Sequence, residues 1–304
     1  MEPLGILYAL ITVLAWGTWL APSEKVVLPN AMSRAFYIAV GNIILSTLVL
    51  FTVADPSKLT AAVFLYPFLG GLIWSLGALC AFSGIARIGM AKAFGIWAPL
   101  NILTGFAWGM ILFGEFLKAG ALTMTLAAGS LLAIIAGLLM IIFSGGAESG
   151  QQQKSTVGFA FAIGAGVLWG TYFVPTAFLA QKVAGLSGWI TAFPLAVGML
   201  VGSGLLVAVA RQAPKCADGM AYVRVVSSGL LWSVGNFAML LMVAVIGMAK
   251  GFTIAQMCVV VNALVGIFVM KNPAPGTRAA NLTLIGVVLA TIGGVVLGNL
   301  KAGM

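Results

Sequence analysis

The sequence predicts an all-α integral membrane protein with ten transmembrane helices, arranged as two inverted five-helix repeats. Three observations carry this reading. Of 304 residues, 62% are hydrophobic and 7% are charged, whereas ordinary soluble domains carry about 25% charged residues. The apolar residues fall into runs free of charge, each near the ~20 residues that a membrane-spanning helix needs. Finally, the chain repeats itself: GGLIWSLGALCAFSGIARIGMAKAF at 70–94 returns as SGLLWSVGNFAMLLMVAVIGMAKGF at 228–252, with 12 of 25 positions identical. A second echo pairs LAWGTWLAP at 14–22 with VLWGTYFVP at 167–175.

The first run, 3–22, follows Glu2. A cleavable signal would carry positive charge there and a small-residue cleavage site afterwards, so this run is predicted to be a span. Runs at 35–54, 63–86, 93–113 and 121–143 complete a first repeat over 1–145. The polar stretch 146–156 is a linker, within SGGAESGQQQKST. Runs at 157–179, 186–209, 225–246, 251–270 and 280–299 make the second repeat, 157–304. A β-barrel would need alternating segments of about ten residues, and these runs are continuous.

An odd number of spans per repeat makes the second copy enter the membrane upside down. Matched residues such as Lys92 and Lys250 are then expected to face opposite compartments. Odd connectors carry ten Lys and Arg residues against five on the even side. By the positive-inside rule, the odd connectors lie in the cytoplasm and both termini outside. Among 39 glycines, small-xxx-small pairs such as Gly105/Gly109 and Gly198/Gly202 suit close helix contact.

Several function classes are excluded by composition. The net charge of +9 is scattered one or two residues at a time between spans, which marks topology rather than a nucleic-acid surface. Cys80, Cys216 and Cys258 give no disulfide framework or metal spacing, and the chain has no histidine. Paired aspartates, a Ser–His arrangement and H-E-x-x-H are all missing. Neither catalysis, nor a cofactor, nor a metal is expected.

Polar and aromatic side chains inside spans are the informative minority, because lipid offers them no hydrogen-bond partner. Repeat-matched Trp16 and Trp169, and Trp74 and Trp232, sit deep in their spans, while Trp19 and Trp108 suit an interfacial belt. Asn101, Asn236, Gln256 and Asn262 add amides, and Asn42 reads as interhelical glue. Amides donate and accept, and indole faces cover apolar C–H surfaces. That combination suits a small neutral polyhydroxylated solute held near midplane between the repeats. The eight site candidates are therefore Trp16, Trp74, Asn101, Trp169, Trp232, Asn236, Gln256 and Asn262. Glu115, in FGEF after the fourth span, is the one candidate for a proton-coupling carboxylate, which would need shielding from water. The alternative for Glu115 is an interfacial helix-end residue. Pro22 and Pro175 end or kink the first span of each repeat.

The pattern GLIWSLGAL…IGMAKAF…GMILFGEF over 71–116 resembles the glucose/ribose porter branch of the drug/metabolite transporter superfamily. It is also similar to the related rhamnose–proton symporter. The resemblance implies a bacterial cytoplasmic membrane protein that takes up monosaccharides by alternating access, commonly with a proton. The second repeat departs from it by carrying MKNPAPG at 270–276 where the first has GE, which leaves facilitated diffusion open. Two other readings stand beside sugar uptake: an exporter of drugs or metabolites with the same fold, and an accessory membrane protein without transport activity.

Overall fold

In a bilayer the backbone can satisfy its own polar groups only by folding each apolar run into a helix. The computed structural model describes residues 3–23, 25–88, 90–144, 155–269, 271 and 273–300. Among the described residues every regular element is helical, and ten spans are long and apolar enough to cross a membrane. In chain order the helices are α1 (Pro3–Thr18), α2 (Ala31–Thr52), α3 (Ala61–Ile88), α4 (Met90–Phe113), α5 (Ala121–Ser144), α6 (Thr156–Thr171) and α7 (Val174–Lys182). They continue as α8 (Gly188–Ala210), α9 (Gly219–Ile246), α10 (Met248–Ala255), α11 (Cys258–Phe268) and α12 (Arg278–Asn299). Helices α6 and α7 form one broken span, Thr156–Lys182, and α10 and α11 another, Met248–Phe268. Most of the predicted linker, and the side chain of Lys92, lie outside the described residues.

Helix starts follow capping chemistry rather than the edge of the charge-free runs. Helix α9 begins at Gly219 instead of 225, because Asp218 Oδ1 accepts from the Ala221 N–H at 2.8 Å and Arg224 stays exposed on the helix. Asn30, Ser155 and Thr277 cap α2, α6 and α12 through their side-chain oxygens in the same way. Both proline predictions are met. Helix α1 stops at Thr18 and gives way to a 3-10 turn at Ala21–Ser23 around Pro22, while the chain breaks at Tyr172–Phe173 ahead of Pro175. The break between α10 and α11 has no proline or glycine to announce it. There the Met257, Val259 and Val260 N–H groups bond to carbonyls three residues back, which tightens the backbone into a 3-10 turn.

Packing is reciprocal. Helix α1 lies on α9 and α11, while α6 lies on α3 and α4; α2 crosses α9, and α3 crosses α8. At those last two crossings glycine meets glycine. A Cβ on Gly41 would stand 2.4 Å from the Gly229 carbonyl carbon, and one on Gly198 would stand 3.0 Å from the Gly71 Cα. Backbones approach where side chains are missing. Helices α5 and α12 pack on each other. Leu4, Leu7, Leu10 and Leu14 leave an apolar stripe exposed on α1, as Ile285, Val288, Ile292 and Val295 do on α12. An outward apolar face with a tighter interior is what lipid solvation favours.

One connector carries a buried charge across the molecule. Gly114 (φ 71°) and Phe116 (φ 64°) turn the chain after α4, and Phe116 packs against Phe106 with ring centroids 5.4 Å apart. Between them Glu115, 2% exposed, reaches the N-terminus of α10. Its Oε1 accepts from the Met248 N–H at 2.6 Å, and its Oε2 from the Ala249 N–H at 3.1 Å. Helix α10 has no side-chain cap of its own, since its N-cap is Gly247 at φ 87°. A Cβ there would sit 2.6 Å from Glu115 Oε2. A carboxylate at a helix N-terminus answers both its free N–H groups and its dipole. Nearby, Lys250 donates to the Leu300 carbonyl at 2.8 Å and so anchors the end of α12.

Burial raises the Glu115 carboxyl above the usual carboxylate range, and the Ala249 and Met248 N–H groups and the Lys250 ammonium oppose that rise without cancelling it. An acid that holds its proton more tightly when folded makes the folded state lose stability as pH climbs through the raised value. Two results are expected from thermal unfolding in detergent, followed by tryptophan fluorescence. Glu115→Ala should melt earlier, by an amount corresponding to ~1–3 kcal/mol for an orphaned buried helix terminus, and its melting temperature should vary less with pH than that of the parent. A variant that melts like the parent at every pH would show that Glu115 holds nothing together.

Candidate functional site

The four deep tryptophans form two matched joints. Trp16 on α1 donates its indole N–H to the Trp232 carbonyl on α9 at 3.2 Å. Trp169 on α6 donates to the Trp74 carbonyl on α3 at 3.1 Å. Each donor ring rests on a glycine one turn further along the accepting helix. A Cβ on Gly235 would stand 2.3 Å from Trp16 Cδ1, and one on Gly77 would stand 2.4 Å from Trp169 Cδ1. The sequence repeat W-S-x-G, at 74–77 and 232–235, therefore encodes a seat. The tryptophan supplies a carbonyl, and the glycine supplies room for an indole from the other half of the chain.

Around the joints the rings form one continuous cluster. Trp16 stacks on Trp232 at 5.1 Å and on Phe173 at 6.3 Å. Trp74 joins the two ends, 6.0 Å from Trp232 and 6.5 Å from Trp169. Trp97 on α4 meets the edge of Trp169 at 5.4 Å, and Trp19 meets Trp232 edge-on at 4.9 Å. Phe252 on α10 closes the group against Phe173 at 6.3 Å. Trp19, set aside from the sequence as a belt residue, thus belongs to this interior cluster. Trp108 instead donates to Thr171 Oγ1 at 2.9 Å.

Amides divide into paired and orphaned groups. Asn236 on α9 donates to Asn42 Oδ1 at 2.9 Å and accepts from the Tyr172 hydroxyl at 3.4 Å. Asn42 in turn donates to the Ile38 carbonyl at 2.9 Å, which fits its reading as glue. Asn262 is exposed on α11 and donates to the Gly17 carbonyl at 3.3 Å, near the end of α1. Gln256 is buried at the break between α10 and α11. Four buried polar atoms among the described residues have no hydrogen-bond partner: Trp74 Nε1, Trp232 Nε1, Asn101 Oδ1 and Thr176 Oγ1. Asn101 lies one turn from Trp97 on α4, the side of that helix that meets α6. Among the described residues, buried side chains with a formal charge are confined to Glu115, which reaches the start of α10, and Lys250 on α10. The tryptophan cluster itself is uncharged.

A cavity of about 290 Å³ opens at the end of the bundle that carries the Glu115 and Gly185 connectors. Glu115, Phe173, Thr176, Gln181, Thr191 and Gly247 are among its lining residues. Its size is near the lower end of ligand pockets, roughly 300–1,000 Å³. None of the eight candidates from the sequence borders it. Trp16 stacks on Phe173, which belongs both to the cavity wall and to the ring cluster. Trp16, Trp74, Trp169 and Trp232 come together, with Asn101 and Asn236 on the helices that pack beside them, whereas Asn262 stands apart as an α1 contact. Phe173 and Thr176 were missed by sequence reasoning. The available signal was their place astride Pro175, where a broken helix frees backbone and exposes side chains to a cavity.

These features can be set against known proteins. The family described as sugar transport protein matches residues 7–300. The Bacillus subtilis glucose uptake protein GlcU is 26% identical over 300 residues, which covers 98% of this chain and 99% of that one. A Listeria monocytogenes protein, lmo0424, designated a candidate sugar uptake protein, is 27% identical over 303 residues, covering 97% of this chain and 99% of its own. A solved crystal structure shares the fold, with a TM-score of 0.68 at 19% identity over 98% of this chain and 97% of that one. With a match that runs almost end to end, the chain belongs to the sugar transport protein family.

Proposed function

We propose that this protein moves a monosaccharide, or a similar small neutral polar solute, across the membrane by alternating access between two inverted five-helix repeats. The observation that carries the reading is a closed, uncharged tryptophan seam lying directly beneath a cavity that is open to one end. Solute waits in the cavity above Phe173, and the seam parts when the helix groups rock. Matched contacts support a duplicated architecture: the Trp16–Trp232 and Trp169–Trp74 bonds, and the Gly41–Gly229 and Gly198–Gly71 crossings. The sugar uptake assigned to relatives by name, GlcU among them, supports the choice of substrate.

The Lys and Arg asymmetry supports an outward-facing cavity, since its connectors are the even ones. Proton coupling would fall to Glu115, the carboxylate in the cavity wall. To serve in that role it must release the α10 N-terminus, so a coupled cycle would move α10 with every proton. The two-residue turn at Gln256–Met257 gives that short helix a place to bend.

Two measurements test this reading. Lys58 and Lys215 are exposed in the second and seventh connectors, which the repeat matches to each other. In a background without Cys80, Cys216 and Cys258, cysteines at these positions should react with a membrane-impermeant thiol reagent from opposite compartments. Labelling from one side would remove the inverted arrangement. Purified protein in liposomes should also drive counterflow of at least one radiolabelled monosaccharide, and a dependence on an imposed pH gradient would assign coupling. If a broad sugar panel gives no counterflow while a dye or a nucleoside moves, the carbohydrate assignment fails.

A further inference from the structure

The four tryptophans that the sequence treats alike are physically two kinds. Trp16 and Trp169 spend their indole N–H groups on carbonyls of the opposite half. Trp74 and Trp232 give those carbonyls, yet their own indole N–H groups are buried without a partner. An orphaned buried donor costs roughly 1–3 kcal/mol, and here the cost falls twice, at repeat-matched positions. Unsatisfied polar groups are rare in folded proteins and each asks for an explanation. The other orphans are an acceptor, Asn101 Oδ1, on the α4 side of the cluster, and a hydroxyl, Thr176 Oγ1, in the wall of the cavity that Phe173 also lines. A threonine hydroxyl both donates and accepts.

We infer, on the basis of the transport reading above, that these orphaned atoms are the substrate's hydrogen-bond partners. The indole N–H groups of Trp74 and Trp232 each donate to a solute hydroxyl oxygen, and Asn101 Oδ1 accepts a solute hydroxyl proton. Thr176 is the first contact, made in the cavity before the seam opens. Trp16 and Trp169 are scaffold, and their hydrogen bonds hold the helices that present the other pair. This division makes a chemical demand of the solute. It must offer at least two acceptor oxygens, one to each half of the chain, and one donor to α4, while an apolar face lies against the rings. A polyhydroxylated ring meets that demand, whereas a hydrocarbon or an organic cation leaves the donors empty. Because α3 and α9 come from different halves, one solute molecule bridges both, and each half keeps one donor on it as the halves move.

Phenylalanine replaces the indole N–H and keeps most of the ring. Counterflow into liposomes should show Trp74→Phe and Trp232→Phe each raising the KM for the transported sugar by about tenfold, the loss of one hydrogen bond to a buried partner. Thermal unfolding in detergent should change little for these two. Trp16→Phe and Trp169→Phe should instead lower the melting temperature, since each removes a hydrogen bond that ties one half of the chain to the other. A series of monodeoxy sugars supplies the readout that a structural role would not move. The analogue lacking the contacted hydroxyl should be poor for the parent yet lose nothing further in the matching variant. If the parent transports sugar and Trp74→Phe and Trp232→Phe leave KM unchanged, this assignment is wrong while the transport reading stands. If the parent transports no sugar, the transport reading itself fails.

Discussion

An indole N–H inside a membrane gains most from an acceptor within the protein, and for Trp16 and Trp169 that acceptor lies in the other half of the chain. That constraint organises the bundle. Trp16 can reach the Trp232 carbonyl only if α1 lies against α9, and Trp169 can reach Trp74 only if α6 lies against α3. Gly235 and Gly77 make the approach possible by offering no side chain where the rings must lie. Lipid tails are as apolar as leucine and supply no hydrophobic drive between helices, so packing and a few interhelical hydrogen bonds decide the arrangement. Two such bonds at the centre, with glycine crossings beside them, set which helices are neighbours.

The ends of the bundle are built differently. On one side Glu115 binds the start of α10, and Lys250, one turn later, holds the end of α12. This pair puts the buried formal charges of the described residues around the start of α10, with Glu115 in the cavity wall, and the tryptophan seam is neutral. Phe173 is the boundary between these regions, since it stands in the wall of the cavity and stacks on Trp16. It sits at the break between α6 and α7, as the N-cap residue of α7.

Much of the fold was legible because membrane solvation leaves few choices. Charge-free runs found all ten spans, and the prolines at 22 and 175 marked real interruptions. Helix ends were less legible: Asp218 and Arg224 are charged, yet one caps α9 and the other rides on it, so a search for uncharged runs starts that helix too late. The break at Gln256–Met257 was hidden because it rests on local 3-10 bonding rather than on a breaker residue. At the site, repeat matching found the tryptophans but not their roles. Whether an indole N–H is spent on a carbonyl or left free depends on the partner helix, which residue type does not reveal. Asn236 and Asn262 show the same limit, because the Asn42–Tyr172 network and the end of α1 engage their amides. Glu115 looked like an isolated acid at a helix end. Its partner was a bare glycine-capped terminus far away in sequence.

The division of labour among the tryptophans is open to direct observation by nuclear magnetic resonance of indole-nitrogen-15-labelled protein, with Trp→Phe variants supplying assignments. In the sugar-free protein, the Trp16 and Trp169 N–H signals should resist exchange with solvent deuterium and should stay in place as the transported sugar is added. Those of Trp74 and Trp232 should shift together with the sugar concentration. Fast exchange at Trp16 and Trp169, or sugar-induced shifts confined to that pair, would contradict the account at its centre.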